Sequence, residues 1–118
     1  MKPLETIPDF YESELWVIKN TLKERYHKAI ELEMGEGDIR LYPDHRELTL
    51  CPVVAWKVEK VTFVIIKTGL ERYRCQFFYR VHQQFGTSIE EYDNIGDCIV
   101  SLLRAQADYE GQQALKKS

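Results

Sequence analysis

The sequence is poor in the residues that announce a chemistry. Cysteine occurs three times in 118 residues, at Cys51, Cys75 and Cys98. A disulfide-stapled secreted domain shows an even and denser set. Each cysteine therefore reads as a small buried hydrophobe in a reducing compartment. The six glycines are scattered, and Gly35-Glu36-Gly37 lacks the third glycine and the following helix of a phosphate loop. There is no Gly-x-Ser-x-Gly elbow, so serine hydrolase chemistry has no support. His-Glu-x-x-His, Cys-x-x-Cys and His-x-x-x-His are all missing, so no metal and no cofactor is expected. The longest apolar stretches, such as Val61 to Ile66, fall far short of the ~20 residues of a membrane span. Met1 to Glu5 shows no basic segment leading into an apolar one, so the expected place is the cytoplasm.

What is present describes one folded unit. The chain is 44% hydrophobic with a net charge of -3, which is unlike a disordered segment. A length of 118 residues is that of a single domain over 1–118, able to bury roughly two-thirds of its surface without staples. The charge is uneven. Lys57 to His82 holds six basic and two acidic residues, or +4, while the remainder holds ten basic and seventeen acidic, or -7. A basic band on an acidic body can steer an anionic partner, but a nucleic-acid-binding domain is usually basic overall, so nucleic acid is not expected.

The periodicity predicts a helix over Asp9–Tyr26, opened by a capping box at Asp9 and Glu12. Tyr11, Leu15, Ile18, Leu22 and Tyr26 form its apolar stripe. Trp16 lies roughly 120° from the centre of that stripe, so it packs elsewhere or is exposed. Ile30, Leu32 and Met34 then alternate with acids. With Gly35 to Asp38 as a turn and Ile39 and Leu41 beyond it, they predict a hairpin. Three stronger strands follow, about Glu47–Val58, Val61–Thr68 and Arg72–Gln83. Pro52 marks an edge position or bulge in the first. No helical stretch separates the strands, so they pair antiparallel. Thr87 to Glu91 could start a short turn. After Asn94-Ile95-Gly96-Asp97 a last helix runs to about Tyr109 on a stripe of Ile95, Cys98, Ile99, Leu102, Leu103 and Tyr109, and the polar tail 111–118 is expected to fray. The expected fold is α+β, a two-layer sandwich of an antiparallel sheet of about five strands with the N- and C-terminal helices on one face.

Two helices cover one sheet face, yet the central strands are apolar on both. Tyr73, Cys75, Phe77, Tyr79 and Val81 should meet the helices; Arg72, Arg74, Gln76, Phe78, Arg80 and His82 should face away with Val64 and Ile66. Contiguous apolar area mixed with arginine and aromatic residues marks an interface, and a two-fold homodimer is the commonest form. Cover by the hairpin and the 83–97 loop is the alternative. The Arg72, Arg74, Arg80 and His82 row could instead take a small anion, which guanidinium forks suit. Asp93, Asn94 and Asp97 lack the spacing of a calcium loop and read as helix caps. Cys75 falls on a core row, and Cys51, with His45 upstream, has no third orienting group, so no catalytic residue is assigned. Arg74 to Tyr79 lacks the glycines of an RNA-recognition strand.

In size, charge and architecture alone, a small acidic α+β domain with a docking face resembles bacterial secretion chaperones, and no functional residue carries across. The expectation is a non-enzymatic cytoplasmic interaction module, a homodimer or protein-docking domain using the face opposite the helices and Trp16. A small-anion-binding protein comes second, an enzyme of unrecognised type third.

Overall fold

In the computed structural model, which describes residues 7–44, 46–80 and 83–117, the first helix, α1 (Glu12–Tyr26), begins later than the capping box at Asp9 suggests. Phe10 is buried and the Asp9 carbonyl accepts Lys67 Nζ at 3.0 Å, which holds the chain extended through Tyr11. Tyr11 becomes the N-cap, and its N–H donates to Glu14 Oε1 at 2.6 Å. Ile18 and Leu22 are buried, and Leu15 and Tyr26 pack against the core from its margin. Trp16 sits outside the stripe, 65% exposed. The helix closes on His27, whose left-handed backbone (φ 59°) lets its N–H reach Lys23 O at 2.8 Å.

The expected hairpin around Gly35–Asp38 is not formed. Strand β1 (Glu33–Ile39) runs straight through it, pairing Gly35 with Val53 and Gly37 with Cys51. Both glycines keep negative φ and sit as ordinary strand residues, not as a turn. A Cβ on Gly37 would meet Val53 Cγ2 at 3.6 Å, an ordinary contact, and one on Gly35 would meet nothing within 4 Å. Strands β2 (Thr49–Val58), β3 (Val61–Gly69) and β4 (Arg72–Phe78) follow as expected, joined by short turns in which Glu59 and Glu71 take positive φ. Pairing of β2 with β3 begins at Val53, so at Pro52 the strand is bonded on one side only, which is where proline is tolerated.

Strand β4 ends sooner than the sequence suggests, and a short β5 (Gln84–Phe85) folds back on it. Phe85 is held there by rings: its centroid lies 5.2 Å from Phe77 and 4.5 Å from Tyr109. The sheet is an all-antiparallel meander in the order β1-β2-β3-β4-β5, and the fold is α+β as expected.

Helix α2 (Ile95–Lys117) opens with Asn94 Oδ1 accepting the Asp97 N–H at 3.0 Å. Cys98, Ile99, Leu102 and Leu103 are buried on the predicted stripe. The tail expected to fray from Gly111 is helical to Lys117. Gln112 to Lys116 are mostly good helix formers, and basic residues at a C-terminus suit the helix dipole. Both helices meet the sheet through the row Val54, Trp56, Phe63, Ile65, Tyr73 and Phe77, where Trp56 stacks on Phe63 at 5.4 Å.

Candidate functional site

Because side chains alternate along a strand, the register that sends this row to the helices sends another row away. Val53 pairs with Ile66 and Ile66 with Arg74; Ala55 pairs with Val64 and Val64 with Gln76; Thr62 pairs with Phe78. These residues therefore adjoin on the face opposite the helices, all half-buried and none of them part of the helix-facing core. Val64, Ile66, Arg74, Gln76 and Phe78 stand together as the sequence implies. Cover over this face is partial. At one corner Leu41 O accepts Arg74 Nη2 at 3.0 Å, so the chain just after β1 lies over the face there. Beneath that corner Cys51 is fully buried; desolvation pushes its thiol up, away from the activated thiolate that catalysis needs. His45 and His82 lie outside the described residues.

The arginine row is not a free anion site. Glu91 arrives beside it because Tyr92 pairs with Tyr73 through two backbone hydrogen bonds. Its carboxylate accepts Arg72 Nη1 at 3.0 Å, Arg74 Nε at 3.2 Å and Thr68 Oγ1 at 2.9 Å. Burial raises the Glu91 pKa, but these donors and the Arg74 charge outweigh it and hold the carboxyl below its ordinary value. Arg80 is exposed and enters no ion pair among the described residues. No local pattern points to Glu91, seventeen residues from Arg74; the Tyr73–Tyr92 bridge brings it in.

A second polar cluster was also missed. Lys67 follows Val61, Phe63 and Ile65 on the inward row and is fully buried under the start of α1. Its ammonium donates to Glu14 Oε1 at 2.8 Å and sits 3.9 Å from the Tyr11 ring centroid. Tyr73 Oη donates to Glu14 Oε2. Desolvation pushes Glu14 up, yet the hydrogen bonds from Lys67, Tyr73 and the Tyr11 N–H, with the Lys67 charge, leave its carboxyl below 4.5. Every donor faces a partner, so the cluster pins α1 to the sheet rather than offering an open site.

Other features include a thiol pair and several hollows. Cys75 on β4 points its Sγ at the Cys98 carbonyl in the first turn of α2, at 4.0 Å; the interaction of the two side chains lowers the Cys75 thiol and raises that of Cys98. A hollow of about 450 Å³ lies where the chain before β1 peels from Trp56 and Lys57. The Trp56 indole N–H is buried without a hydrogen-bond partner among the described residues. A larger, open groove of about 890 Å³ lies between the β3–β4 turn, the 89–93 segment and the first half of α2. Among the described residues no group of three His, Cys, Asp or Glu side chains is placed to hold a metal ion, and no helix is long and apolar enough to cross a membrane. No family model, curated protein or solved structure matches the chain.

Proposed function

We propose that the chain is a non-enzymatic interaction module that self-associates through the sheet face opposite its helices. The observation that carries this reading is the adjoining, half-buried set Val53, Val64, Ile66 and Phe78 on a face that neither helix covers. Apolar area of that kind is costly to leave in water. A second copy is the favoured occupant because the margins of the face are complementary to each other. Glu33 is exposed at the β1 edge, on the same side as Ala55, while Arg80, exposed and in no ion pair among the described residues, lies just past β4. A two-fold axis along the strands sets the acidic margin of one copy over the basic margin of the other. Three free thiols suit a reducing, cytoplasmic setting.

The anion-binding alternative loses support because Arg72 and Arg74 already share Glu91. Sedimentation over a wide concentration range tests the proposal on the native chain. A reversible monomer–dimer equilibrium is expected. A strict monomer at the highest soluble concentration contradicts it.

A further inference from the structure

The open groove beside α2 collects apolar side chains that the fold does not use. Leu70 is 62% exposed on the β3–β4 turn, Ile89 51% exposed on the segment before Glu91, and Val100 45% exposed on α2, and all three line the groove. Each is held on a braced element. The Ile89 N–H donates to Thr87 Oγ1 at 3.2 Å, Thr87 Oγ1 donates to Ile89 O at 2.9 Å, and the Tyr92 hydroxyl donates to Thr87 at 2.5 Å. Glu91, locked by Thr68, Arg72 and Arg74, fixes the segment from the other side. A groove preformed in this way costs little entropy to fill.

Its charge selects the occupant. The carboxylates of Glu71, Asp93 and Asp97 line the groove and enter no ion pair among the described residues; Arg72, also in the lining, is joined to Glu91, which leaves the guanidinium of Arg104 as the countercharge beside them. Phosphate-bearing partners are repelled by that excess, whereas ammonium or guanidinium groups are attracted. We infer that this groove docks a segment of another protein that carries apolar side chains next to lysine or arginine. The apolar groups would rest among Leu70, Ile89 and Val100, and the cations would face Glu71, Asp93 and Asp97. This surface is distinct from the apolar centre of the self-association face, which it meets only at its border, at Glu91.

Fluorescence anisotropy with a labelled peptide of alternating leucine and lysine tests the inference on the full chain. A serine–lysine peptide of equal charge and a leucine–glutamate peptide serve as controls. Saturable binding of the leucine–lysine peptide alone is expected, weakening as salt is raised. Ile89→Ser with Val100→Ser should weaken it about tenfold or more, since buried apolar anchors carry most of such affinities. Asp93→Asn with Asp97→Asn should weaken it comparably and flatten the salt dependence. All four positions are exposed and circular dichroism should stay unchanged. Equal binding of the serine–lysine peptide, undiminished binding by both double variants, or no saturable binding of the leucine–lysine peptide overturns the inference. If the serine pair instead abolishes self-association, the occupant is a second copy and the assignment to another protein fails. Sedimentation of the native chain reads the self-association proposal independently.

Discussion

At the scale of single residues, the most consequential is Lys67, a charge with no exposed surface. Its stem continues the apolar row of β3, while its ammonium meets Glu14, the Asp9 carbonyl and the Tyr11 ring. Breaking a buried pair strands the other charge, so Lys67→Met should cost about 3–5 kcal/mol in urea unfolding. Replacing both partners, Lys67→Met with Glu14→Leu, should recover a large part of that loss. Tyr73→Phe removes one donor to the same carboxylate and should cost about 1–2 kcal/mol. The depressed pKa of Glu14 makes the cluster acid-sensitive. Its contribution is fully present above the unfolded carboxyl value near 4.5 and is lost as pH falls through the lower folded value. Native stability should therefore drop from about pH 5 downward, and Glu14→Gln should show a shallower drop. A variant with an unchanged acid limb would contradict this role. Part of the cluster was readable in the sequence: parity with Val61, Phe63 and Ile65 already puts Lys67 inside. The identity of its partner was not, because Glu14 lies 53 residues away and doubles as a helix-start residue.

At the scale of elements, the strands that alternate cleanly and the stripes of both helices were legible. The errors fall where one local signal has two physical meanings. Glycine tolerates a turn, yet it also fits an extended strand, and Gly35 and Gly37 take negative φ in β1 paired with β2. The stretch after Phe78 has strand-forming residues, but it bends so that Phe85 can return to Phe77 and Tyr109, a packing decision made by distant rings. Helix α1 ends on His27 in the left-handed region, where a side chain is strained. His27→Gly should raise stability by roughly 0.5–1 kcal/mol, measured as a shift in urea midpoint without a change in slope. An unchanged or lowered midpoint would show that His27 makes compensating contacts.

At the scale of the whole molecule, the surplus of hydrophobic residues and the split of charge resolve differently. The +4 stretch does not form one basic surface: Lys67 is buried, and Arg72 and Arg74 are joined to Glu91. The hydrophobic surplus does form a surface. The second row of β2, β3 and β4 was legible from two-residue periodicity, and the meander register assembles it into one face. Its partial cover at one corner includes a long-range bond, Arg74 to Leu41 O, which no local pattern announces. Radius of gyration points the same way. A chain of this length packed evenly has a value near 13.5 Å, whereas this one has 15.1 Å and extents of 60 × 31 × 21 Å. The molecule is drawn out.

The central claim, that the face opposite the helices joins two copies, is tested most directly by placing a charge at its middle. Val64 is half-buried there, flanked in register by Ala55 and Gln76 and remote from the helix-facing core. Sedimentation of Val64→Lys beside the native chain, with circular dichroism confirming the fold, is the decisive measurement. A native dimer and a folded monomeric variant are predicted; a native monomer, or a variant that dimerises as strongly as the native chain, would contradict the account.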